Sequence, residues 1–344
     1  MGRWARGMGL GLALVGLWGG FLGASARPRW GAPAVTVGEA PPVSAATTPP
    51  FLVFLPLVLR APEAPPAPWL SRLNAYRAMA SLPPVTEDLS LSDGCGKHAR
   101  YMVKNDVIGH SEDPGNPWYT PEGDACARNA NLMASTDATV PDTVAIDVWM
   151  RVPFHAVGML DPRLARVGYG SYREADGGWQ MGAALDVLRG WRDSLDGIRF
   201  PIRWPGDGAT TFLRAFYEWG EYPDPLAHCG YAQPAGLPIL LLLGTGEITP
   251  TVTDHRLLRD GSPVDHCVFD ETTFTHPDPY QQWLGRAVLD SRDAVVVIPR
   301  EPLPPGTRYT VSLTINGQTY TWTFSVAATA GAAGAEGPAP IEIR

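Results

Sequence analysis

His110 precedes Glu112 by two residues in "IGHSEDPGNPWYTPEGD", a Pro/Gly-rich stretch that begins where a helical pattern ends, and the chain of 344 residues has only seven histidines. An imidazole with a nearby carboxylate suits a borderline cation such as zinc. It equally suits a bland task, hydrogen bonding that staples a loop onto the preceding helix. A nucleophilic triad of Ser111, His110 and Asp113 is disfavoured, because neighbouring loop residues rarely point at one another and no Gly-x-Ser-x-Gly elbow is present. His98 reads as a half-buried helix residue rather than a ligand. His228 and His266 adjoin Cys229 and Cys267 and read as loop histidines that come close if those cysteines bridge.

The element that must deliver His110 is a helix over 90–107, where Leu91, Cys95, His98, Tyr101, Met102 and Asn105 recur at three- and four-residue steps. Before it, Trp69, Leu70, Leu73, Tyr76 and Met79 predict an amphipathic helix that Pro83-Pro84 ends. After it, 144–150 is helical again, and "VGYGSYREADGGWQMGAALDVL" turns to strand character with Gly177-Gly178 as a hairpin turn. Helices followed by a hairpin sheet make this part α+β. Past a Trp/Pro/Gly-rich connection over 191–234, the runs "LPILLLLG", "TPTVTDHRLL", "AVVVIPR", "RYTVSLTI" and "QTYTWTFSV" have strand periodicity. Asn316-Gly317 joins the last two, a strong hairpin signal, so 235–327 is read as an all-β sandwich.

The length suits two domains. Hydrophobic residues make up 45% and charged residues 18%, a folded composition with a lightly charged surface. The net charge of -8 comes without a basic cluster, which excludes nucleic acid as a partner. Residues 1–26 set Arg3 and Arg6 before an apolar run that closes on Ala24-Ser25-Ala26, an export signal, with an uncleaved membrane anchor as the alternative. Either way the rest lies outside the cytoplasm, secreted or in the cell envelope, and meets a membrane only through that segment. Residues 27–67 form a Pro-rich stalk, in which "FLVFLPLVLR" is too short to span a bilayer and docks as an extended segment or makes a surface contact. Residues 328–344 form a low-complexity tail. In an oxidising compartment the four cysteines permit three pairings; two fall in each domain, so the expected bridges are Cys95–Cys126 and Cys229–Cys267. No CxxC spacing supports a cysteine zinc site.

With the elements in place, "LNAYRAMASLPPV", "KHARYMVKNDVIGHSE" and "WMRVPFHAVGMLDPRLARVGYGSY" resemble, in order, the CAP superfamily (cysteine-rich secretory protein, antigen 5, pathogenesis-related 1; SCP domain) in its bacterial form, over 68–190. The last stretch carries a Trp-Met pair, a Pro-x-His, a Leu-Asp-Pro and a Val-Gly-x-Gly. The segment "LPPGTRYTVSLTINGQTYTWTFSV" is similar to bacterial Ig-like domains. The resemblance implies a CAP-like α-β-α sandwich followed by an Ig-like sandwich, and a surface cleft in which two histidines and two acids hold a divalent cation. Carried over, the histidines are His110 and His155. Both acids are missing: Ala130 stands in the glutamate's place of the Gly-Glu-Asn motif, followed by matching Asn131 and Leu132, and Val152 stands in the other's.

Glu112 is therefore recruited by proximity, with Glu122 as the alternative. His110, His155 and Glu112 would leave an open position on zinc, and a metal there would lower the pKa of a bound water. Trp149 and Phe154, flanking His155 at what should be one helix end, read as core. Trp118 and Tyr119 are harder to bury and are candidates to line a groove. The functional expectation is a binding or interaction module for a glycan, peptide or lipid of the envelope or extracellular space, possessing at most a divalent cation as cofactor. The alternative is a metal-assisted, peptidase-like hydrolase centred on His110 and His155.

Overall fold

The computed structural model describes residues 65–217, 220–329 and 341–343. The segments read from the sequence as an export signal and, up to residue 64, as a stalk, together with most of the tail, lie outside the described residues. The described residues belong to one compact unit, 62–344.

Helix α1 (Pro68–Met79) starts on a proline, whose missing N–H costs nothing in a first turn, and turns Trp69, Leu70, Leu73 and Tyr76 inward. Helix α2 (Leu89–Asn105) is capped by Asp88, which accepts from the N–H groups of Ser90 and Leu91, and ends at Asp106 in the left-handed region. Helix α3 (Pro121–Ala127) is capped by Thr120. The expected single helix around Trp149 and Phe154 is two, α4 (Asp142–Met150) and α5 (Pro153–Met159). Pro153 forces Val152 into an extended conformation, φ -123° and ψ 132°, so the helix must break there and restart.

These helices cover a sheet ordered β1 (Thr86–Glu87), β3 (Arg166–Arg173), β4 (Met181–Asp186), β2 (Ala130–Ser135) and β16 (Ile341–Ile343). Only β1 and β3 are parallel. Helix α2 lies so close to β3 that a Cβ at Gly168 or Gly170 would run into the backbone of Leu91 or Gly96. That approach is what "VGYGS" encodes: glycines alternate under α2, while Val167 and Tyr169 face the other way, Tyr169 stacking on Trp69 with ring centroids 4.8 Å apart.

The C-terminal region has two larger sheets. One runs β11 (Ser262–Pro263), β10 (Val252–Arg259), β14 (Arg308–Ile315), β15 (Gln318–Val326), β6 (Thr210–Thr211). The other runs β12 (His266–Phe269), β13 (Ala294–Pro299), β9 (Ile239–Leu242), β5 (Ile202–Trp204), and a small ribbon pairs β7 (Ala215–Phe216) with β8 (Ala235–Gly236). Strand β14 alternates buried and half-exposed residues, whereas β9 and β13 are buried throughout, matching their unbroken apolar sequences. Asn316 and Gly317 both have positive φ, 51° and 80°, the type I′ geometry their dipeptide predicts. The stretch read as a connection thus supplies β5, β6 and β7, together with helix α6 (Pro225–Cys229). Between β12 and β13 the chain forms helix α7 (Pro279–Asp290), capped by Asp278.

One cluster of buried apolar side chains runs from Trp69 through the C-terminal sheets to Ile343, and a small second one surrounds Cys95, Cys126 and Leu132. Polar locks reinforce the shared core. The fully buried Asp161, just past α5, takes bidentate bonds from Arg163 and lies 3.1 Å from the Nε of Arg292, and Arg163 also donates to the carbonyl of Ser291 at 2.9 Å. Both expected disulfides form: Cys95–Cys126 joins α2 to α3, and Cys229–Cys267 joins α6 to β12. No described helix is long and apolar enough to cross a membrane.

Candidate functional site

His110 and His155, 45 positions apart in sequence, line one cleft of about 340 Å³. Strand β2 contributes Ala130 and Asn131, α5 contributes Phe154 and His155, and the end of β4 leads to Val187 and Leu188. The remaining wall comes from the C-terminal region: Tyr222 and Pro223 from the stretch before α6, and Tyr280, Leu284 and Val288 from α7. The lining is dominated by aliphatic and aromatic side chains.

Each imidazole is held through Nδ1. His110 Nδ1 donates to the carbonyl of Ala127 at 2.8 Å, since a carbonyl can only accept. That carbonyl ends α3, which the Cys95–Cys126 bridge clamps to α2, so the disulfide fixes the partner that orients the ring. His155 Nδ1 meets Glu221 Oε2 at 2.6 Å, and Glu221 Oε1 accepts the N–H of Phe154 at 2.9 Å. Asn131, the matching asparagine of the family motif, donates to the His155 carbonyl at 3.2 Å and ties β2 to α5. Nδ1 is thus the donor toward the carbonyl of Ala127 in one ring and faces the Glu221 carboxylate in the other, an arrangement that in a neutral imidazole puts the lone pair on Nε2, the atom through which such histidines ligate metals.

Glu112 turns elsewhere. It is buried, with Oε1 2.9 Å from Nδ1 of the fully buried His98 and Oε2 accepting the N–H of Thr120. The staple between loop and helix therefore exists, but it is His98 and Glu112 that make it. A Cβ on Gly123 would collide with the same carboxylate, so the packing there is tight. Glu122 is exposed and pairs with Lys97 at 3.4 Å; a backbone hydrogen bond and that lysine hold its carboxyl below the usual range. Asp113 accepts from the N–H of Gly115. Trp118 lies on the outer side of α2, with the Arg100 guanidinium 4.1 Å and the Lys104 ammonium 5.2 Å from its ring centroid, and neither it nor Tyr119 lines the cleft. The aromatic residues that do are Phe154, Tyr222 and Tyr280.

The residues present fit a cation only in part. Two imidazoles in the ligating tautomer share the cleft, but among the described residues the one three-donor cluster within ligand reach is Cys95, Cys126 and Asp186, whose sulfurs are bonded to each other and offer no thiolate. Water or the ligand would have to complete the coordination. Outside the cleft, His266 bonds His255 at 2.9 Å, and His228 packs against Phe269 and Phe274.

Glu221 was invisible to spacing arguments, because it lies 66 residues beyond His155. Nothing in the residues next to it in sequence marks it.

Residues 70–181 match the family model described as the cysteine-rich secretory protein family, CAP. Among solved structures, the chain is similar to an outer surface protein from Borrelia burgdorferi, at 14% identity over 35% of this chain and 90% of that one, with a TM-score of 0.27. No curated protein matches the chain.

Proposed function

We propose that this CAP-domain chain is an exported, bacterial-type envelope or secreted protein that captures an apolar ligand, a lipid or an apolar peptide segment, in the cleft shared by the CAP domain and α7. The observation that carries the reading is the lining. Phe154, Val187, Leu188, Leu284 and Val288 offer an apolar wall, with His110, Arg128, Asn129, Asn131 and His155 as the polar groups that would orient a head group. The two disulfides fit an oxidising, extracytoplasmic compartment. In this reading the C-terminal sheets, whose last strands resemble Ig-like domains, do more than space the CAP domain, since their helix α7 is part of the cleft.

A cation is the second reading, favoured by the tautomer of the two rings. His110 and His155 would hold a zinc ion, which when bound supplies Lewis acidity and an activated water, the route to a hydrolase. Organic extraction of the purified full-length protein, followed by mass spectrometry and titration with a fluorescent fatty acid, tests the first reading. We expect a co-purified or rebinding apolar ligand that Leu284→Asp abolishes. A parent protein that takes up neither the fatty acid nor an apolar peptide, yet binds a neutral oligosaccharide, would reverse it. Isothermal titration with zinc chloride decides the second.

A further inference from the structure

We infer that Glu221 is the positioning carboxylate of the cleft, contributed from outside the CAP-matched segment in place of the acids that segment lacks at positions 130 and 152. The inference takes from the proposed function only that the cleft is where the chain binds.

The side chain of Glu221 is fully buried, and a carboxylate is tolerated there only when its oxygens are used. Both are. Oε2 meets His155 Nδ1, and Oε1 accepts the N–H of Phe154, one of the orphan donors at the start of α5. Val152, which precedes that helix, offers no side-chain cap, so Glu221 caps α5 from across the fold while it fixes the ring. The next residues, Tyr222 and Pro223, line the cleft, and the N–H of Asp224 donates to Gln281 Oε1 on α7 at 3.1 Å. A short strap thus links α7, the carboxylate, the imidazole and α5. Position 130 offers the cleft only a methyl group and position 152 is a buried valine, so neither place in the CAP segment can do this.

The consequence is chemical. A hydrogen bond to Nδ1 selects which nitrogen of a neutral imidazole keeps its lone pair. In the neutral ring Glu221 therefore places the proton of His155 on Nδ1 and the lone pair on Nε2. It also makes the site inseparable from the C-terminal region, although the family match stops at residue 181.

The test uses the full chain and two variants. With the imidazole neutral, long-range nitrogen–proton NMR correlations of His155 should report the Nδ1–H tautomer in the parent. Glu221→Ala should convert the ring to the Nε2–H tautomer that neutral histidine prefers in water. Glu221→Gln, whose amide oxygen can still accept from Nδ1, should keep the parental tautomer. If the parent shows Nε2–H, or Glu221→Ala leaves Nδ1–H intact, the inference fails. The parent spectrum alone can overturn it should Glu221→Ala not fold. Where zinc binds the parent, Glu221→Gln should weaken it by about tenfold or more, and unchanged affinity would count against the assignment. A parent that binds neither zinc nor fatty acid but shows the predicted tautomers would sink the proposed function and leave this inference standing.

Discussion

Arg77 offers the sharpest test of how the cleft is supported. It sits on the inward face of α1, fully buried, and its guanidinium donates to three carbonyls at good distance: Pro83 at 3.0 Å, Met159 at 2.8 Å and Asp161 at 3.1 Å. Met159 closes α5, the helix that carries His155, so Arg77 braces that helix from its far end. A fourth contact, to Leu164 at 3.4 Å, is long, and that carbonyl is also reached by Arg192. In Arg77→Leu the three strong bonds are lost, at about 1.5–3 kcal/mol each for a charged donor, a gross loss of roughly 5–9 kcal/mol. Burial, aided by Arg192, lowers the guanidinium pKa to about 10, and relieving that unfavourable burial offsets about 3 kcal/mol. The expected net destabilisation is therefore about 2–6 kcal/mol, the size expected for breaking a buried charge-assisted network. Urea unfolding should show a lower midpoint with an unchanged slope. Arg77→Lys, which keeps the charge but not the fork, should fall between. A Leu variant within about 0.5 kcal/mol of the parent would refute the bracing argument, because surface changes alone reach that size.

Glu271→Gln should stabilise the protein at pH 8 and do nothing at pH 4. Burial, followed by the charges of Asp290, Asp293 and Asp270, pushes the Glu271 carboxyl up to about 7 from 4.5, so folding takes up a proton between those values and stability falls as pH rises through the window. The gain above pH 7, discounted for screening, is about 1–3 kcal/mol, read from melts at the two pH values; equal effects at both would contradict it. Gly317→Val forces a β-branched residue to φ 80° and should cost about 1–3 kcal/mol by thermal unfolding, with a parental melt overturning the turn assignment. Replacing Cys95 and Cys126 together by alanine opens a loop with a sequence separation of 31 and should cost about 3–4 kcal/mol; it should also loosen His110, visible as faster exchange of its Nδ1 proton. Unaltered exchange would show that α3 holds its place without the bridge.

Local chemistry was legible in the sequence and long-range pairing was not. Trp69 to Met79, the α2 stripe and Asn316-Gly317 each follow from spacing or a dipeptide within a few residues, and all three appear as expected. The cysteine partition by region anticipated both bridges. The break at Val152 was legible too, since Pro153 announces it, but the apolar continuity of "VWMRVPFHAVGM" masked it. Helix α7 carries Asp278-Pro279 as a start signal, yet it is embedded between strand-like runs and was absorbed into them. Arg77 and Glu221 lay beyond reach, because nothing in their neighbours marks them: an arginine on a half-polar helix and a glutamate in a proline-rich stretch become buried only when segments many residues away close over them. For Glu112 proximity in sequence misled, since a loop that folds back on its own helix presents its acid to His98 before it can present it to His110.

Strand β2 is buried along all six of its residues, and its outer backbone row is matched by Ile341–Ile343, with Ile341 opposite Ser135 and Ile343 opposite Met133. A chain shortened by a few residues would keep most of its hydrophobic interior yet lay open, on a largely apolar strand, a row of unpaired amides and carbonyls, a template for another molecule's strand. Clumping of trimmed material would then originate at that margin rather than in unfolding, and a bulky fusion placed there risks the same outcome.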